Sequence, residues 1–205
     1  MTPEVRHFFY DLFFSMLVGE PSDQTIDAWR KGLAAVREAQ SDGAVGKAAA
    51  GLLAILNVND GNDAVRAEFG RLFLDPVEPG VSLLASQYVD GRPFGKYLVR
   101  LRTFLEKTPF RKRDDYSEPE DSLPFHLDLM RSFIREEEEI SSSQDQAQWQ
   151  ALQRELVNDY IGTWIDRPIS ELEKRDTEPF YRQVAFLLRL YFQQEREFLL
   201  QPQGK

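Results

Sequence analysis

Apolar residues recur every three to four positions along most of this chain, the spacing that gathers them on one face of a helix. Val5, Phe8, Phe9, Leu12, Phe13 and Met16 form one broad stripe, ended near Gly19 and Pro21. Ser22 or Asp23 can cap a second helix with Ile26, Trp29, Leu33 and Val36 inward. Val45, Ala48, Leu52, Ile55 and Leu56 form a third, closed by the turn-rich run NVNDGND. Val65, Phe69, Leu72 and Phe73 make a fourth, stopped at Asp75-Pro76, and Phe94, Leu98, Leu101 and Leu105 a fifth. A sixth carries Leu123, Leu127, Met130 and Ile134 beside Phe125, Leu129 and Phe133. After EEEEISSSQDQ, Trp149, Leu152, Leu156, Tyr160 and Trp164 continue the pattern. Thr177-Glu178-Pro179 opens a long last helix with Val184, Leu187, Leu188, Tyr191, Phe192 and Phe198. The one strand candidate, VSLLASQYV, is flanked by Gly and Pro. These patterns predict an all-α, single-domain helical bundle over residues 1–200, with residues 201–205 a frayed tail. The loops at 75–93 and 108–117 are long for helix–helix connections and flank the fifth helix; loops of that length in a compact domain are either disordered or functional.

The stretch SEPEDSLPFHLDLM holds two competing helix starts. Ser117 with Glu120 has capping-box spacing, and Asp121 or Ser122 before Pro124 is the alternative. A start at Ser117 would put Pro124 inside the helix, where it removes a hydrogen bond and clashes one turn back. Either way Glu118, Glu120 and Asp121 crowd one turn, where they complement a helix dipole or face a cleft.

Composition narrows the chemistry. The net charge of −9 over 205 residues disfavours nucleic acid and favours a basic partner. There is no cysteine, so no disulfide, thiolate nucleophile or thiolate metal site exists. His7 and His126 lie on separate helices, and His126 with Asp128 lacks the spacing of two ligands on one helical face, so no metal site is expected. No phosphate-binding glycine loop and no nucleophile elbow is present, which points away from an enzyme and from a bound cofactor. No apolar run reaches about 18 residues, and no signal peptide is read, so the expected compartment is the cytoplasm.

EFGRLFLDP (68–76), SQYVDG (86–91), EPEDS (118–122) and EPFYRQVAFLL (178–188), in this order, resemble the TorD/DmsD/NarJ family of molybdoenzyme maturation chaperones. With the helical framework the resemblance spans roughly residues 5–200. It implies an all-α chaperone of the cytoplasm that binds the N-terminal leader, commonly a twin-arginine signal peptide, of a molybdoenzyme catalytic subunit. Such a chaperone delays export until cofactor insertion; cofactor-loading factors are further implied partners. The peptide-binding candidates are Phe69, Leu72, Phe73, Pro76, Tyr88, Glu118, Pro119, Glu120, Asp121 and Ser122. The family commonly has His where this chain has Ser122. A monomer and a helix-swapped dimer both fit, and a helical adaptor unrelated to molybdoenzymes is the alternative function.

The implied mechanism pairs the leader's guanidinium groups with the acids at 118–121 and its apolar run with Phe69, Phe73 and Tyr88. Exposed acids would set specificity and encounter rate more than affinity. On that reading, Asp121→Asn weakens leader binding and leaves thermal stability nearly intact.

Overall fold

The computed structural model describes residues 1–74, 80–113, 116–140 and 142–200, with only the backbone of Ser143. Pro76, part of both long loops and the tail at 201–205 therefore lie outside the described residues. Within them the chain is all-α. The order is α1 (Pro3–Leu17), α2 (Asp23–Ala39), α3 (Ala44–Leu56), α4 (Gly61–Phe73), α5 (Ala85–Val89), α6 (Lys96–Leu105), α7 (Leu123–Glu139), α8 (Ser143–Glu155), α9 (Asp166–Glu173) and α10 (Pro179–Leu200). A π-helical turn (Leu156–Tyr160) and a 3₁₀ turn (Ile161–Thr163) follow α8.

Most stripes bury as their spacing requires. Ser22 is the cap of α2, accepting from the Thr25 N–H at 3.1 Å, and Ile26, Trp29, Leu33 and Val36 are buried. Four details refine the sequence reading. Val5 is exposed despite its place in the first stripe. Phe94 is exposed and precedes α6, whose buried face is Tyr97, Leu98, Leu101, Phe104 and Leu105. The strand candidate contains only a lone antiparallel bridge from Leu84 to Ser122, and then turns into α5. Helix α9, with Ile169 and Leu172 buried, went unread; Pro168 sits in its first turn, where its missing N–H costs nothing.

The chain forms two compact units. One comprises Ser15–Ser82 and Arg167–Gln194. In it α2 and α3 meet through a tight turn: a Cβ on Gly46 would fall 1.9 Å from the Gln40 carbonyl oxygen. Trp29 stacks on Phe180 at 5.7 Å and donates its indole N–H to Ser15 Oγ at 2.9 Å. The buried N–H groups of Phe180 and Tyr181, which lack intrahelical acceptors at the start of α10, are met by the Glu68 carboxylate at 3.0–3.3 Å.

The other unit comprises Met1–Phe14, Leu83–Asp166 and the chain from Glu195 on. In it the buried Phe133 meets the rings of Phe104, Phe110 and Trp149, and Phe110 also meets Trp149. Arg6 and Glu195, both buried, pair at 2.6 Å, and Tyr10 donates to the same carboxylate at 3.2 Å. The ring of Phe198 lies 5.0 Å from the Arg6 guanidinium.

Candidate functional site

The contested start of α7 resolves in favour of Ser122. Its Oγ accepts from the Phe125 N–H at 3.2 Å, and Pro124 falls in the first turn, where proline is tolerated. The rival capping box does not form a helix; residues 117–121 are turns, closed by the Ser122 N–H on the Pro119 carbonyl at 3.0 Å.

Two backbone bonds then fasten this turn to the segment before α5. The Ala85 N–H donates to the Asp121 carbonyl and the Leu123 N–H to the Leu83 carbonyl, both at 2.8 Å. The side chain of Asp121 points inward and has no exposed surface. Its Oδ2 accepts from the Ser86 hydroxyl and from the Ser86 N–H, the latter at 3.3 Å. Ser86 Oγ in turn accepts from the Phe94 N–H at 2.9 Å. Asp121 thus ties α5, the loop before α6 and the cap of α7 together, a role the sequence reading did not foresee.

The three acids are in three different situations. Asp121 is sealed inside. Glu120 bonds to Arg102, with nitrogen–oxygen distances of 2.6 and 2.7 Å. Glu118 is half-buried, and burial raises its pKa above the ordinary carboxylate range, outweighing a hydrogen bond from Ser122 and the field of Lys112. An incoming guanidinium would offset that desolvation directly at Glu118, and would have to displace Arg102 at Glu120.

Behind the turn lies an imidazole, His126, completely buried. Its Nδ1 is 2.6 Å from the Ser122 carbonyl, which can only accept, so Nδ1 carries the proton. Nε2 then accepts from the Tyr97 hydroxyl at 2.8 Å. Burial pushes the His126 pKa down to about 4, so the ring is neutral. Burial also raises the pKa of Tyr97, which keeps its hydroxyl proton. Trp164 packs against the His126 ring at 5.9 Å and stacks on Tyr88 at 5.9 Å, leaving Tyr88 half-buried.

The remaining candidates sit in the unit that contains α4. Phe69 and Leu72 are buried, Phe73 is half-buried and Leu74 is 53% exposed. Phe69 and Phe73 meet at 5.2 Å, and Tyr181 of α10 closes the cluster at 6.0 and 5.2 Å. Beside them Glu178 bonds to Arg71 at 3.2 Å and accepts from the Thr177 hydroxyl at 2.7 Å. These contacts hold its pKa below the ordinary value. Reasoning from spacing missed Tyr181, Glu68 and Glu178 here, and Ser86, Tyr97, His126 and Trp164 in the other unit. The motifs SQYVDG and EPFYRQVAFLL already contained Ser86, Glu178 and Tyr181, and were the available signal. Among the described residues, no cluster of three or more His, Asp or Glu could hold a metal ion.

A family model described as nitrate reductase delta subunit matches residues 38–170, well over half of the chain. The chain belongs to that family, the TorD/NarJ group. A chaperone protein TorD from Aliivibrio salmonicida is 25% identical over 135 residues, covering 65% of this chain and 63% of the relative. A second chaperone protein TorD, from Shewanella pealeana, is 23% identical over 156 residues, covering 72% of this chain and 66% of the relative. The matches thus span just under two thirds of those relatives' own lengths. A protein from Archaeoglobus fulgidus described as a redox enzyme maturation protein shares the fold, with a TM-score of 0.51 at 16% identity over 93% of this chain and 94% of that one. No helix among the described residues is long and apolar enough to cross a membrane.

Proposed function

We propose that this protein is a non-enzymatic chaperone of the cytoplasm that binds the N-terminal leader of a molybdoenzyme catalytic subunit, a twin-arginine leader, before cofactor insertion and export. Membership of the TorD/NarJ family is the observation that carries this reading. The surface chemistry supports it. Glu118 offers a carboxylate whose burial penalty a guanidinium relieves, and Glu120 already grips one guanidinium, that of Arg102. Phe73 and Leu74 offer apolar surface, and burying such surface contributes about 25 cal/mol per Å² before ordering costs.

The test is calorimetric titration of the full chain with a synthetic twin-arginine leader. Glu118→Gln and Glu120→Gln should each weaken binding severalfold and flatten its salt dependence, since charges are screened within about 8–10 Å near physiological salt. Phe73→Ser should weaken binding without changing that salt dependence. Equal affinity for a leader with both arginines replaced by glutamine would refute the reading.

A further inference from the structure

The exposed face of α6 and the loop before it carries the opposite charge to the chain as a whole, which stands at −9. From Arg92 to Arg102 there are four cations, Arg92, Lys96, Arg100 and Arg102, and no acid. While α6 buries its apolar side, Lys96, Val99, Arg100 and Thr103 face solvent at i, i+3, i+4 and i+7, a single stripe along the helix. Val99 and Phe94 are each 66% exposed, the largest exposures among the described large apolar side chains of the unit after Leu200 at the end of α10.

Phe94 is held in this position by the buried bonds described above. Its φ of +57° is uncommon for a bulky side chain. Its N–H is fixed by Ser86 Oγ, and Ser86 by the buried Asp121. Following Phe94 in the chain, Gly95 packs against Asp90, whose Oδ2 accepts from the Tyr97 N–H at 2.8 Å and would lie 2.3 Å from a Cβ on Gly95.

The cations of the stripe also differ from their neighbours. Arg102 is paired with Glu120 and Lys107 with Glu155, each at 2.6 Å. Arg92 and Lys96 have no carboxylate partner among the described residues. Arg100 lies 5.7 Å from the Tyr160 ring centre and donates weakly to the Asp159 carbonyl at 3.4 Å.

We propose that this face docks an acidic segment of a partner protein, one in which Glu or Asp residues alternate with large apolar side chains. Charge complementarity selects the sign of the partner, and Phe94 and Val99 supply apolar contacts between the cations. The shape selects a polypeptide: the stripe is narrow and about 10 Å long at 1.5 Å per residue, which suits a helix or strand lying along it. This site is distinct from the leader-binding reading, because a twin-arginine leader carries the charge this face repels.

The test uses the full chain and a fluorescent 14-residue peptide with Glu and Leu interleaved on one helical face, Leu at i and i+7 and Glu at i+3 and i+4, read by anisotropy and by amide chemical-shift mapping. Saturable binding is expected, with shifts centred on residues 92–103 and affinity falling as salt rises. Lys96→Glu combined with Arg100→Glu should weaken it at least tenfold, and Phe94→Asn, which tolerates positive φ, a few-fold. Lys96→Gln with Arg100→Gln is the milder control should the reversal unfold the chain. The same variants should leave twin-arginine leader binding unchanged, so failure here is separable from failure of the chaperone reading. Absence of saturable binding, or binding indifferent to charge reversal, overturns the proposal. So does a reversal that abolishes only pelleting with phosphatidylglycerol vesicles, which assigns the face to lipid, or only self-association, which assigns it to a second copy.

Discussion

Asp121→Asn probes whether this carboxylate is a structural lock or an exposed receptor. The sequence suggests a receptor whose loss leaves stability intact; its complete burial and its two bonds from Ser86 argue for a lock. Hydrogen bonds to a charged group contribute about 1.5–3 kcal/mol each, roughly twice a neutral one. Asparagine keeps one acceptor for Ser86 but loses the charge. It also adds an N–H₂ group next to Ser86 or at the position of Oδ1, which has no hydrogen-bond partner among the described residues. The net cost should be about 2 kcal/mol, and for a chain of this size each kcal/mol lowers the melting temperature by about 2–4 °C. The expected fall is therefore about 4–8 °C by calorimetry or circular dichroism. Hydrogen exchange should quicken at the amides of Ala85, Ser86 and Phe94, whose acceptors lie in this network. Ser86→Ala should cost a similar amount, and the double variant less than the sum, with a coupling of about 1 kcal/mol or more. A melting temperature within about 1 °C of wild type, with unchanged exchange at those amides, would refute the lock.

The neutral His126 makes stability depend on pH. Its folded pKa of about 4 lies below the ordinary value of 6.5, so the unfolded chain binds more protons between them. Stability from this group is complete above about pH 6.5 and is lost as pH falls towards 4, by up to about 3 kcal/mol. The difference in melting temperature between wild type and His126→Gln should therefore shrink on acidification across that window, and a constant difference would contradict the assignment. Glu68→Ala leaves the Phe180 and Tyr181 N–H groups without their acceptor and should cost about 1–3 kcal/mol, with faster exchange at both amides. Glu68→Gln, which keeps one acceptor, should cost less. Glu195→Ala removes the close partner of the buried Arg6 charge, whose other carboxylate contact, Glu137, is at 3.9 Å, and should cost about 3 kcal/mol in chemical denaturation, whereas Arg6→Met with Glu195→Met should recover most of it.

The spacing of apolar residues determined most of the helices, the short α5 and α9 excepted, because a helix needs only neighbours three and four positions away to define its buried face. The cap at Ser22, one of the two candidates there, and the opening of α10 at Pro179 are equally local, as is the break at NVNDGND, of which only Asn57–Asp60 lies between helices. At Ser122 local information offered two starts, and the structure selects the one that leaves Pro124 in a first turn. The motifs also located the family and its candidate residues, including the buried aromatic Phe69 and the half-buried Phe73. Tertiary structure decided the roles of the acids. Glu118, Glu120 and Asp121 are alike on paper, and differ only because one is half-buried, one meets Arg102 and one meets Ser86. The partners that make this difference lie far along the chain: Ser86 is 35 positions from Asp121, and Phe180 is 112 positions from Glu68. Periodicity reports that a residue is buried, but it is silent on which distant donor arrives beside it, and that donor sets whether a carboxylate is sealed inside, caps a helix or pairs with a cation.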